Sequence, residues 1–67
     1  MEISKLTPRE NEIISYIKKG ANNTEIANQL GISPHTVKAH IASILRKLQI
    51  RNRIQLAFKL GILDKNL

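Results

Sequence analysis

The stretch Ser33-Pro34-His35-Thr36-Val37-Lys38-Ala39-His40-Ile41-Ala42-Ser43-Ile44-Leu45-Arg46-Lys47-Leu48 decides the fold of this chain. Ser33 suits an N-cap, because its hydroxyl can accept from backbone N–H groups that lack partners in a first helical turn. Pro34 follows at the first helical position, where its missing N–H costs nothing. Val37, Ile41, Ile44, Leu45 and Leu48 then recur at i, i+4, i+7, i+8 and i+11, one apolar stripe of an α-helix. At roughly 100° per residue, His35, Ala39, Ala42, Ser43 and Arg46 project from the opposite side, with Lys38 on one flank. That outer face carries no acid and no bulky apolar residue. It can enter a groove of DNA without steric or electrostatic penalty.

The residues before this helix repeat the same grammar. Asn22-Asn23-Thr24-Glu25 opens a short helix with Asn23 or Asn22 as cap; Ile26, Ala27 and Leu30 face inward, and Gly31 ends it. A short helix, a brief turn containing Gly, then a longer capped helix is the helix-turn-helix layout. Asn22-Asn23-Thr24 also spells a glycosylation sequon, read here as chance, with capping as the role. Further upstream, Thr7-Pro8-Arg9-Glu10 is a capping box with proline at the first position. Leu6 is placed to bury just before it. Ile13, Ile14 and Ile17 form that helix's buried stripe, Lys18-Lys19 suit its C-terminal dipole, and Gly20 closes it.

Downstream, Gln49-Ile50-Arg51-Asn52 connects to a fourth helix from about Arg53 to Leu60, closed by Gly61, with Ile62-Leu63 placed to fold back onto the bundle. No strand pattern and no repeat appears. The reading is an all-α, four-helix helix-turn-helix domain over residues 6–67, after a lead-in of residues 1–5.

Composition sets the outer bounds. A chain of 67 residues with 3% aromatics must build its core from Ile, Leu, Val and Ala. It has no cysteine, which excludes a disulfide scaffold and thiolate metal sites and fits a reducing compartment. No apolar run approaches the roughly 18 residues of a membrane span, so a cytoplasmic protein with no membrane partner is expected. Net charge is +6, and four of the five acids (Glu2, Glu10, Glu12, Glu25) lie in the first 25 residues. Between Glu25 and Asp64 there is none, whereas Lys38, Arg46, Lys47, Arg51, Arg53 and Lys59 all fall there. A basic excess so localised suggests a polyanionic partner.

Catalysis and metal binding find no support in the residues. His35 and His40 stand about 140° apart on a helix and cannot share an ion from one face. Glu10 and Glu25 read as helix-start acids. No nucleophile–base pair or phosphate-cradling glycine loop is present. The expectation is no enzyme, no metal, no cofactor and no small-molecule ligand in this segment. RNA is disfavoured because Tyr16 and Phe58, the only residues of the Phe, Tyr and Trp class, are off the outer face of the third helix.

The succession Leu6-Thr7-Pro8-Arg9-Glu10, Gly20, Glu25-Ile26-Ala27, Leu30, Ile32-Ser33, Thr36-Val37-Lys38, His40-Ile41, Ile44-Leu45, Lys47-Leu48 and Asn52-Arg53 closely resembles the LuxR-type (GerE-type) helix-turn-helix domain. The resemblance implies a DNA-binding domain of a bacterial transcription regulator, either the C-terminal effector domain of a protein of response-regulator type or a free-standing regulator. It implies that helix 3, residues 34–48, is the recognition helix in the major groove, braced by helix 2. It also implies pairing of two domains through helix 4 on two half-sites, with RNA polymerase as a further partner. Two positions depart from the family pattern. Gln49 stands where glycine is common, so the end of helix 3 is expected to close differently from a left-handed cap. Ala39 and Ala42 stand where longer side chains are common, and alanine can only touch a thymine methyl or leave room for water.

The site expected from these arguments has three parts. Lys38, Ala39 and Ala42 meet base edges. Asn23, Thr24, Ser33, His35, Thr36, Arg46 and Lys47 meet phosphates, the first five from near helix starts where the dipole favours an anion. Helix 4 carries two apolar stripes, Leu56/Leu60/Leu63 and Ile54/Phe58/Gly61, and periodicity alone leaves open which one faces the core. The family resemblance puts Leu56 and Leu60 inside, leaving Ile54, Phe58 and Gly61 to meet a two-fold mate.

Overall fold

Four side-chain caps set the start of four helices in the computed structural model, which describes residues 5–61. They are α1 (Pro8–Lys18), α2 (Asn23–Leu30), α3 (Pro34–Lys47) and α4 (Arg53–Lys59). No strand occurs among the described residues, and the all-α, four-helix reading holds. At α1 the Thr7 hydroxyl accepts the Glu10 N–H at 3.1 Å, and Glu10 Oε1 accepts the Thr7 N–H at 2.9 Å. At α2 the same reciprocal box joins Asn22 and Glu25, both bonds 2.8 Å, so Asn22 is the cap and Asn23 the first helical residue. Ser33 caps α3 by accepting the Thr36 N–H at 3.0 Å, and Asn52 caps α4 by accepting from Gln55 at 2.9 Å. Each bond satisfies a donor that the helix geometry leaves without a partner.

The helix ends contain one correction. Gly20 closes α1 at φ 87°, with the Ala21 N–H donating to the Tyr16 carbonyl at 3.1 Å and the Gly20 N–H to Ile17 at 3.0 Å. Gln49 was expected to end α3 by another geometry. It instead takes the same left-handed conformation, φ 58°, with Ile50 N–H on the Leu45 carbonyl at 3.0 Å and Gln49 N–H on Arg46 at 3.2 Å. These two bonds satisfy carbonyls that would otherwise be orphaned, and they bring Ile50 onto the core. The backbone accepts a left-handed glutamine to keep them. Helix bounds differ by one residue: Leu48 and Leu60 are the C-caps of α3 and α4. The expected docking of Ile62-Leu63, and Leu63 in the α4 stripe, lie outside the described residues.

The core is aliphatic. Leu6, Ile13, Ile14, Ile17, Ile26, Ala27, Val37, Ile41, Ile44, Leu48 and Leu56 are buried, with Leu30, Ile32, Leu45, Ile50 and Leu60 packed partly against them. Helix α3 packs on both α1 and α2. Its Val37 and Ile44 are fully enclosed, each contributing about 1.5–3 kcal/mol by burial. This one-sided burial is what holds the opposite face of α3 toward solvent.

Candidate nucleic-acid interface

The apolar stripe of α3 faces inward, so its other side must face out. His35, Lys38, Ala39, Ala42 and Arg46 are all exposed. Ser33 is exposed and Thr36 half-buried at the helix start, where their hydroxyl oxygens lie 2.9 Å apart. Because Ser33 Oγ already accepts the Thr36 N–H, capping occupies part of its hydrogen-bonding capacity. The exposed side chains of α3 include no acid.

Ser43 does not belong to this outer face. It is half-buried, and its hydroxyl donates to Glu10 Oε2 at 2.8 Å, across 33 residues of chain. Lys47, one turn further on the same flank, donates from Nζ to Glu10 Oε1 at 2.8 Å. The α3 flank that carries both therefore packs toward α1, and simple helix projection set Ser43 too far outward. Glu10 is only 3% exposed. Burial alone would raise its carboxyl, but the Lys47 hydrogen bond, the Thr7 N–H, the Ser43 hydroxyl and the Lys47 charge together outweigh it. They hold the group at about 2 instead of the ordinary 4.5.

At the start of α2, Thr24 is exposed and Asn23 half-buried. Asn23 Oδ1 accepts from Arg53 Nη1 at 2.6 Å, and Arg53 Nη2 donates to the Ala21 carbonyl at 3.0 Å. The guanidinium thus ties the first turn of α4 to the link between α1 and α2. No local pattern around Arg53 points to acceptors some thirty residues earlier, so its role is visible only in the tertiary structure. The Glu10 cluster did leave a trace: Ser43 and Lys47 form an i,i+4 polar pair beside the apolar stripe, and the capping box needs only one oxygen of Glu10.

On α4, Leu56 is fully buried and Leu60 half-buried, whereas Ile54 is 63% and Phe58 36% exposed. Gly61 is exposed, with φ 79°. The stripe assigned to the core is therefore the one that packs there. Phe58 borders a shallow groove lined with Ile50, Gln55 and Lys59. Among the described residues no group of three or more His, Cys, Asp or Glu side chains comes together, and no helix is long and apolar enough to cross a membrane.

A short capped helix, a left-handed glycine turn and a longer helix with an acid-free outer face, supported by two further helices, define a helix-turn-helix domain of the kind found in regulatory proteins. The chain belongs to the luxR family of bacterial regulatory proteins, whose GerE profile matches residues 4–60. It is 44% identical over 54 residues to the CsgBAC operon transcriptional regulatory protein of Escherichia coli (strain K12), covering 81% of this chain and 25% of that protein. It is 43% identical over 54 residues to the transcriptional regulatory protein DesR of Bacillus subtilis (strain 168), covering 81% and 27%. With the nitrate/nitrite response regulator protein NarL of Escherichia coli (strain K12) it shares 38% identity over 56 residues, 84% of this chain and 26% of that protein. The chain spans about a quarter of the length of these relatives.

Proposed function

We propose that this domain binds double-stranded DNA sequence-selectively, as the effector part of a bacterial transcription regulator of response-regulator type, with α3 in the major groove. The observation that carries the reading is the exposed, acid-free face of α3, held outward by the burial of Val37, Ile41, Ile44 and Leu48 on its other side. In this reading Lys38 meets base edges, with Ala39 and Ala42 offering close approach or a thymine-methyl contact. Asn23, Thr24, Ser33, His35, Thr36 and Arg46 meet the backbone, which fixes register; Lys47, expected among them, has its ammonium on Glu10. Relatives named as response regulators support the regulatory setting. The domain acts by binding, not catalysis, in the cytoplasm, without a cofactor, and RNA polymerase is the machine its binding would influence.

Two copies bind adjacent half-sites as a homodimer, joined through Ile54, Phe58 and Gly61. Exposed apolar side chains on a helix whose other side is already in the core support this arrangement. The test is a titration of selected duplexes against salt. Four to six phosphate contacts per domain would give a slope of roughly 0.9 log unit per contact for each tenfold rise in salt. A flat dependence, or equal affinity for heparin and every duplex, would remove the reading.

A further inference from the structure

We infer that Glu10 is an internal counter-charge that withholds the Lys47 ammonium from the DNA backbone, although Lys47 lies late in the proposed recognition helix beside the outward Arg46. The inference rests on the DNA reading above and deepens it, by deciding which cations of α3 act on the polyanion and which do not.

Three groups converge on one carboxylate. Lys47 Nζ and the Thr7 N–H both donate to Glu10 Oε1, at 2.8 and 2.9 Å, and the Ser43 hydroxyl donates to Oε2 at 2.8 Å. The Glu10 side chain is 4% exposed and that of Lys47 32%. Reaching for a phosphate would require the ammonium to leave an anion that has almost no water around it. Stranding a buried charge is far more unfavourable than forgoing one screened surface contact is costly. A bridging position, with Lys47 held between Glu10 and a phosphate, changes little. The pair is already neutral, so it condenses no counter-ion change on binding comparable to that of a free cation.

Arg46 provides the internal contrast. It is the preceding residue, on the same helix, but exposed, and the salt bridges among the described residues do not include it. Adjacent cations of equal formal charge thus have different electrostatic value. Glu10 serves two ends at once: it closes the α1 capping box and it fixes the α3 flank that carries Ser43 and Lys47. The same contacts that set the rotation of α3 remove one positive charge from the set available to DNA.

The experiment compares salt dependence of binding to a single half-site duplex, by fluorescence anisotropy, for the whole chain and four variants whose fold is checked by circular dichroism. Arg46→Met should lower the slope of log affinity against log salt by about 0.9. Lys47→Met should lower it by less than roughly a third of that. Glu10→Gln, which frees the ammonium, should steepen it by up to about 0.9. The double variant Glu10→Gln/Lys47→Met removes both charges and should keep the slope of the unmodified chain, which provides the decisive comparison if either single variant fails to fold. A loss of about 0.9 in Lys47→Met or in the double variant would overturn the inference. A flat salt dependence in the unmodified chain would instead overturn the DNA reading, and this inference with it.

Discussion

Arg53 holds Asn23: its Nη1 donates to the Asn23 side-chain oxygen at 2.6 Å while Nη2 holds the Ala21 carbonyl at 3.0 Å. One planar guanidinium thereby joins the start of α4 to the start of α2, and it fixes the Asn23 amide with its nitrogen directed away from Arg53. Arg53→Met keeps most of the apolar stem and removes both bonds. It should destabilise the domain by about 1–3 kcal/mol in a denaturant titration, with Lys at this position recovering only part of the loss. An unchanged midpoint would mean that α4 docks through Leu56 alone.

Gln49 carries a strained backbone to close α3. Its φ of 58° disfavours a residue with a Cβ, and glycine adopts it freely. Gln49→Gly should stabilise the fold by roughly 0.5–1 kcal/mol, the relief of the left-handed conformation less the added chain entropy of glycine. Thermal unfolding checks the sign. Destabilisation would show that the glutamine side chain contributes more than its backbone loses.

Glu10 makes stability fall in acid. Its carboxyl sits at about 2 in the fold against 4.5 ordinarily, so between these values the unfolded chain binds the proton and the folded one does not. The contribution is therefore complete above about pH 5 and is lost as pH falls toward 2, about 3 kcal/mol in all. Urea titrations at pH 6, 4 and 3 should show the loss. Glu10→Gln should be less stable at pH 6 and show a shallower decline.

Lys38 separates base reading from anchoring. It is exposed on α3, one turn after the Ser33 cap. Lys38→Ala should cost about 1–3 kcal/mol on the preferred duplex and flatten the ranking among duplexes. Arg46→Ala should instead weaken all duplexes alike. A Lys38→Ala variant that keeps the ranking while losing affinity everywhere would make Lys38 a phosphate contact.

Phe58 tests the pairing surface. With Leu56 buried and Phe58 36% exposed, Phe58→Glu should leave the circular dichroism spectrum intact. It should abolish cooperative binding to a duplex with two half-sites and spare binding to one. Loss of helicity would place Phe58 in the core and move the pairing surface elsewhere.

The sequence by itself determined the four helices, because caps and apolar periodicity are local. Thr7 with Glu10, Asn22 with Glu25, and Ser33 with Thr36 each act within three residues, and the stripe from Val37 to Leu48 names its own buried side. The outward direction of Lys38, Ala39, Ala42 and Arg46 follows from that stripe. The tertiary structure alone decided what crosses between helices. Glu10 meets Ser43 and Lys47 across 33 and 37 residues, and Arg53 meets Asn23 across 30. Hydrogen bonds and ion pairs are short-ranged and directional, so they form only where packing brings donor and acceptor within about 3 Å. Helix periodicity gives an angle about one axis and does not say which neighbour stands at that angle. That is why Ser43 read as outward and packs against α1. Gln49 shows the reverse dependence, since two backbone bonds and the burial of Ile50 impose a conformation that its own residue type disfavours.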